Sequence, residues 1–131
     1  MDTADDAGWT PLLMAASMGK THVVELLLEA GADVGHQNEN KQTVWHYAAS
    51  KGHLDVLHLL VGYITTKKPN AVLSSMASQS DMYGATPLHR AAAQGHLPVV
   101  RYLLQKMHVS LAKLDNDGNS AAHLAAEGSA P

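Results

Sequence analysis

Nine histidines among 131 residues are the side chains that could bind a metal or transfer a proton. No His-Glu-x-x-His segment occurs, and no clustered carboxylates accompany the histidines. The chain has no cysteine, which excludes disulfides and thiolate metal ligands. A phosphate-binding glycine loop and a Gly-x-Ser-x-Gly nucleophile turn are also absent from the sequence. We therefore expect no enzyme, no cofactor and no metal site, and zinc at His53 and His58 is the one metal alternative left open.

The elements that position these histidines are clearest in residues 81–105. Asp81 and Gly84 mark a tight turn, in which glycine supplies the positive φ that other residues resist. Thr86 can cap a helix, and Pro87 fits the first helical position because no N–H is needed there. A Gly-His pair then separates this short helix from a second one. The apolar residues of the second helix fall on one face: Val99, Val100, Leu103 and Leu104.

The same unit recurs along the chain. Thr10 and Thr43 lie 33 positions apart, Thr43 and Thr86 lie 43 apart, and a Thr-Pro-Leu-His-x-Ala core follows the third of them. A period of about 33 residues with this core is typical of ankyrin repeats. The sequence therefore resembles the ankyrin-repeat family over about residues 5–127. The resemblance implies an all-α solenoid of helix-turn-helix repeats with projecting hairpin loops.

We expect a single domain that spans residues 1–131 and consists of successive repeats. We expect the second unit to contain an insertion at about residues 63–80, with a prolonged helix at Tyr63–Thr66 and a short extra turn at residues 71–77. Only the first helix of the last unit fits the sequence, so we expect a truncated, monomeric array of modest stability with an apolar end at Ala122, Leu124 and Ala125. The units are residues 5–37, 38–80, 81–114 and the partial 115–127.

The resemblance also assigns structural roles to the histidines. In ankyrin repeats the histidine of the Thr-Pro-Leu-His segment bridges backbone groups of adjacent turns. His46, His89 and His123 occupy that position in this sequence, and His53 and His96 occupy the Gly-His turn between helices. We expect these five rings to hold the fold together rather than to do chemistry.

Three further residues depart from the repeat pattern. Lys41 stands where glycine is expected, so either it keeps a positive φ at a cost of roughly 1 kcal/mol or the turn shifts. Trp45 replaces leucine in the first helix and is predicted to fill the core. Trp9 lies in the turn before the first helix. We expect its side chain to be exposed, either as an anchor for a partner or as a cover over the neighbouring hairpin.

Charge is unevenly distributed although the net charge is only −3. Residues 1–40 sum to −6, residues 41–113 to +6, and the remainder to −3. This segregation indicates either ordinary solvated charge or a surface for a partner protein with matching poles. The basic residues lack interleaved aromatics, so nucleic acid is not an expected partner. Neither a signal peptide nor an apolar run of about 18 residues occurs, which predicts no membrane association and a cytoplasmic or nuclear protein.

Three strings carry a more specific resemblance. They are Asp5–Leu12 (DDAGWTPL), His46–Lys51 (HYAASK) and His89–Ala93 (HRAAA), in this order. They are similar to the gankyrin-like assembly chaperones of the proteasome regulatory particle. The resemblance implies that the concave hairpin face binds the C-terminal domain of a proteasomal ATPase subunit.

Residue by residue, the resemblance implies a partner-binding set. Asp5 and Asp6 would meet partner arginines and Lys51 would meet partner acids, while Trp9 and Arg90 are further candidates because the repeat pattern does not require them. The alternative is another ankyrin scaffold or regulator, of the kinase-inhibitor or transcription-factor type, with a different protein partner.

Overall fold

Helices and tight turns make up the protein in the computed structural model, which describes residues 4–68, 70, 72–110 and 113–123. No strand occurs in these residues, and none of their helices is long and apolar enough to cross a membrane. The helices are α1 (Pro11–Met18), α2 (Thr21–Glu29), α3 (Val44–Ser50), α4 (Leu54–Lys67), α5 (Leu73–Met76), α6 (Pro87–Ala93) and α7 (Leu97–Gln105). The predicted all-α fold is confirmed.

Local sequence sets where the first helix of each repeat begins and ends. The Thr10 hydroxyl accepts a hydrogen bond from the Leu13 N–H at 3.3 Å, and Pro11 occupies the first turn of α1. Gly19 ends the helix with a φ of 71°, a left-handed conformation that favours glycine. The Thr86 hydroxyl accepts from a backbone N–H in the same way at the start of α6.

The helices form two layers that share one core. In the inner layer α1 packs against α3 and α3 against α6, while α2 packs against α4 in the outer layer. Each inner helix also contacts the outer helix of its own repeat. Pairs of alanines let the inner helices approach closely, for example Ala48 and Ala49, which are fully buried. Trp45 is 1% exposed, so the prediction that it fills the core is confirmed.

Each turn between repeats is built on one side-chain oxygen. The Oδ1 atom of Asp81 accepts hydrogen bonds from the backbone N–H groups two and four residues further on, at 2.9 and 3.0 Å. Asp5, Asn38 and Asp115 use their Oδ1 atoms in the same way. The repeated Asx turn therefore fixes the geometry of every hairpin tip.

A ladder of backbone hydrogen bonds joins successive turns. Its bonds run from Glu39 N–H to Ala7 O at 2.9 Å, from Met82 N–H to Asn40 O at 2.9 Å, and from Asn116 N–H to Tyr83 O at 3.0 Å. The middle bond has the same geometry as the others although ten extra residues lie between its repeats. The insertion is therefore accommodated without changing the spacing of the turns.

The extra residues lie after the normal end of the outer helix. Helix α4 has 14 residues whereas α2 and α7 have nine, which confirms the predicted extension over Tyr63–Thr66. The short helix α5 follows within the segment where an extra turn was predicted. Ala77, just after α5, is fully buried. The insertion thus contributes to the core as well as to the surface.

Two local predictions concern Lys41 and the last repeat. Lys41 adopts a φ of 61°, so it keeps the conformation of the glycine it replaces. In the last repeat residues 121–123 are helical, with Ala121 buried and Ala122 exposed. The predicted apolar end extends to Leu124 and Ala125, which lie outside the described residues.

Candidate protein-binding surface

The histidines in the Thr-Pro-Leu-His position clamp neighbouring repeats together. Nδ1 of His46 accepts from the Thr43 N–H at 3.1 Å, which leaves the proton on Nε2 to be donated to Ala85 O of the next repeat at 3.0 Å. His89 makes the same pair of contacts, with Thr86 and with Asn119 O. Burial lowers the pKa of His46, so the ring is held neutral in this bridge.

Two further histidines, His53 and His58, also bridge repeats. His53 Nε2 lies 3.0 Å from Ser17 O, and its ring fills the space that a side chain at Gly19 would occupy. His58 packs against Tyr102, with ring centroids 4.7 Å apart. The two rings considered for zinc therefore serve different contacts. Within residues 4–68, 70, 72–110 and 113–123, no group of three or more His, Cys, Asp or Glu could hold a metal ion.

The turns and the inner helices together present one surface, which we call the inner face. The inner helices of different repeats can be compared position by position. Equivalent residues lie the same number of positions after the capping threonine of each repeat. Met14 is 45% exposed where the second and third repeats carry Tyr47 and Arg90. Met18 is 64% exposed where the second repeat carries Lys51. At these two positions the inner face therefore changes from two methionines in the first repeat to Tyr47 and Lys51 in the second and to Arg90 and Gln94 in the third.

Arg90 is held in an ion pair within the protein. Its Nε and Nη2 atoms donate to Oδ2 of Asp81 at 3.1 and 2.7 Å, and Gln42 of the preceding turn donates to the same oxygen at 3.0 Å. Burial raises the pKa of the Asp81 carboxyl, but hydrogen bonds from Gln42, Arg90 and the backbone outweigh it and leave the pKa below its usual value. The prediction that Arg90 binds a partner therefore concerns a side chain that is paired with Asp81 and remains 33% exposed.

Trp9 is half-buried rather than exposed, which corrects the expectation about its side chain. Its ring packs on Tyr47 of the next repeat, with centroids 4.5 Å apart. The Tyr47 hydroxyl accepts from Asn38 Nδ2 at 2.7 Å and donates to Gln42 Oε1. Trp9 therefore covers the neighbouring hairpin, and Tyr47 links it to the Gln42–Asp81–Arg90 network.

Asp5, Asp6 and Lys51, which were predicted to bind a partner, differ in how far their side chains are engaged within the protein. Asp5 is exposed, but its Oδ1 accepts from the N–H groups of Ala7 and Trp9 at 3.0 and 2.9 Å, so it also builds the turn. Asp6 and Lys51 are both exposed, the first in the same turn and the second at the end of α3. These two present their charges to solvent on adjacent repeats.

A groove of about 320 Å³ lies between the third and fourth turns. Tyr83, which is 55% exposed, and Arg90 line one side, and Asp115 and Asp117 line the other. The Arg90 guanidinium lies 5.7 Å from the centre of the Tyr83 ring. Because Asp81 already neutralises Arg90, the two aspartates give the groove an acidic character. Sequence reasoning missed Tyr83 and these aspartates as surface residues, although each lies in a turn that the repeat period identifies.

Comparison with known proteins agrees with this architecture. The sequence matches the family described as ankyrin repeats (3 copies) over residues 1–72 and 66–130. The chain belongs to the ankyrin-repeat family. Ankyrin repeats are protein-interaction modules whose curvature creates extended concave binding surfaces.

Curated relatives show how widely such repeats occur. The chain is 32% identical to human transient receptor potential cation channel subfamily A member 1 over 124 residues, which cover 95% of this chain and 10% of that protein. It is 32% identical to mouse Rabankyrin-5 over 122 residues, or 93% of this chain and 10% of that protein. It is 28% identical to the probable 26S proteasome regulatory subunit p28 of Saccharomyces cerevisiae over 159 aligned positions. The alignment covers 95% of this chain and 66% of that protein.

These shares limit what the relatives imply about function. The chain spans about a tenth of the length of the first two relatives and about two thirds of the third. The similarity therefore identifies the repeat family.

Proposed function

We propose that this protein is a binding module of the proteasome regulatory particle, and that its inner face binds the C-terminal domain of a proteasomal ATPase subunit, as an assembly chaperone does. The observation that carries the proposal is the similarity to a probable 26S proteasome regulatory subunit over 95% of this chain. On this proposal the protein acts by binding alone, without catalysis or a cofactor, in the cytoplasm or nucleus.

The charges of the inner face support a partner with two poles. Asp6 is exposed in the first turn and Lys51 is exposed one repeat further on. Exposed charges of this kind mainly accelerate and orient association, and each contributes about 0.2–1 kcal/mol. A partner that presents basic side chains near the first turn and acidic side chains near α3 matches this arrangement.

The binding experiment uses surface-plasmon kinetics on an isolated ATPase C-terminal domain at low and high salt. Asp6→Lys and Lys51→Glu should each slow association by about 1.5- to 5-fold at low salt, and the effect should shrink as salt rises. Lys68→Glu is the matched control, because this exposed lysine lies at the end of α4, away from the turns. Wild-type rates for both inner-face variants would reject the proposed binding surface.

A second candidate is an ankyrin scaffold that uses the same face for another protein. The similarity to a cation channel subunit and to Rabankyrin-5 favours this alternative, because both matches cover more than nine tenths of this chain. Pulldown from a cell extract with the wild type and the Lys51→Glu variant distinguishes the two functions. Recovery of proteasomal ATPases by the wild type alone supports the first candidate, and recovery of another protein class supports the second.

A further inference from the structure

A second groove lies on the outer layer, away from the turns. It encloses about 400 Å³ between α2 and the extended part of α4. The extra turns of α4 form one wall, and the absence of a side chain at Gly62 leaves the space open. The outer groove is lined on one side by Glu25, Leu28 and Glu29 of α2, and on the other by residues of α4, which are His58, Leu59, Gly62, Tyr63, Thr66 and Lys67.

The floor and the rim of the outer groove differ in chemistry. Leu28 is buried, and Leu59 and Tyr63 are partly buried against the core, so the floor is apolar. Glu25 and Glu29 are exposed on the rim, one helical turn apart on the same face of α2. The groove therefore offers contact to an aliphatic chain and to a positive charge at the same time.

Both glutamates occupy positions that disfavour their charge. Glu29 is the last residue of α2, where the negative end of the helix dipole repels a carboxylate, and Glu25 lies one turn before it. Like charges four residues apart on a helix also repel each other. Neither glutamate forms an ion pair within the part of the chain that the structure describes. A cation between them would relieve both repulsions.

We propose that the outer groove binds a lysine or arginine side chain of a partner protein. The methylene stem of that side chain lies on Leu59 and Tyr63, and its charged group lies between Glu25 and Glu29. Long basic side chains bury their stems along apolar surface while the head group stays polar, which fits this combination of floor and rim. The outer groove is separate from the inner face, so the array can hold two partners at once.

One positive residue, Lys67, also lines the outer groove, at the last turn of α4. It forms no ion pair with either glutamate among the described residues. Its positive charge repels a basic side chain that enters the groove. A Lys67 variant therefore tests whether the ligand is positively charged. Removing this charge should strengthen binding of a basic side chain, whereas removing either glutamate should weaken it.

Gly62 offers a variant that closes the groove without disturbing the fold. No atom lies within 4 Å of the position that a Cβ on Gly62 would take, and its φ is not in the left-handed region. Glycine is also unfavourable inside a helix, so larger residues here stabilise α4. The leucine of Gly62→Leu should therefore fill the outer groove. The thermal unfolding midpoint of this variant should equal or exceed that of the wild type.

The probe is the capped tripeptide Ac-Leu-Arg-Leu-NH₂, titrated into the full chain while backbone amide shifts are followed by NMR. Its matched neutral control is Ac-Leu-Gln-Leu-NH₂. We expect the arginine peptide to shift amides of residues 25–29 and 59–63 and to bind more tightly than the glutamine peptide. Glu25→Gln and Glu29→Gln should each weaken binding by about 1.5- to 5-fold, and Lys67→Gln should strengthen it by a similar factor.

Loss of the shifts in Gly62→Leu, with its fold retained, supports the outer groove as the site. Equal affinity for the two peptides, a stronger complex on removal of a glutamate, or shifts confined to the turns would each overturn the proposal. The binding of an ATPase domain to the inner face is measured separately, so either proposal can fail without the other.

Discussion

Arg90 places two hydrogen-bond donors on one oxygen of Asp81, at 3.1 and 2.7 Å, while the other oxygen of the same carboxylate holds the turn together. The Asp81 side chain is completely buried and that of Arg90 is 33% exposed. A single carboxylate therefore connects a hairpin tip, the helix that follows it, and Gln42 of the preceding turn. The stability of the third repeat depends on this group.

Asp81→Ala should lower the free energy of unfolding by about 3 kcal/mol, because it leaves Arg90, Gln42 and two backbone N–H groups without their acceptor. Asp115→Ala is the matched control: it removes the same turn acceptor from the fourth turn, where no arginine pair is present in the described residues, and should cost about 1 kcal/mol. Urea unfolding followed by circular dichroism measures both. Equal losses would show that the ion pair contributes little beyond the turn.

Acidification should weaken the fold through His46. Its pKa in the folded protein lies below the usual 6.5 because the ring is buried, so the unfolded chain binds the proton more readily. The contribution to stability is therefore fully present above about pH 6.5 and is lost as the pH falls from there toward the folded-state pKa. Urea unfolding from pH 7.5 to 5.5 should show this decline in the wild type and a shallower one in His46→Gln. Parallel curves would contradict the argument.

Lys41→Gly should raise the free energy of unfolding by about 0.5–1 kcal/mol. Lys41 has a φ of 61°, and this left-handed conformation costs a residue with a Cβ roughly 1–2 kcal/mol. Glycine avoids that cost but loses more conformational entropy on folding, so the net gain is smaller. Lys41→Ala serves as the control, since alanine removes the charge but keeps the Cβ. A gain of the same size in the alanine variant would point to charge rather than backbone strain.

Trp9→Ala should destabilise the protein by about 2 kcal/mol, because the ring loses its contact with Tyr47 and part of its burial. Met18→Ala, at a position that is 64% exposed at the end of α1, should change the free energy of unfolding by less than about 0.5 kcal/mol. Thermal unfolding compares the two variants. A neutral Trp9 variant would restore the interpretation of this residue as an exposed anchor.

The repeat architecture was predictable because its signals are local and recur. Capping threonines, the Gly-His breaks and the turn at Asp81 identify each helix pair, and Lys41 and Trp45 behave as their repeat positions require. The prolonged α4 followed from the ten extra residues, since an outer helix can lengthen without moving the turns.

The surface was less predictable because it depends on which side chains meet. The sequence predicted Arg90 as a partner-binding residue but not its ion pair with the aspartate nine residues before it. A comparison of the repeats could have revealed this ion pair. The positions of Asp81 and Arg90 hold Asp5 and Met14 in the first repeat, so an acid and an arginine occur together only in the third. The exposure of Trp9 was also misjudged, because its cover is a tyrosine 38 positions away.

The ladder between turns has a mechanical consequence. Each of its bonds joins one turn to the next, and each histidine bridge does the same from His46 to Ala85 and from His89 to Asn119. A force applied across the array is therefore carried by these links in series, and the weakest link determines the load at which the stack separates. Side-chain links also join each pair of turns, through His36 and Gly8 O, Gln42 and Asp81, and Asn116 and Met82 O. Because, of these three, only the link from Gln42 ends on a charged carboxylate, tension should open the array nearer its ends and leave its middle seam intact.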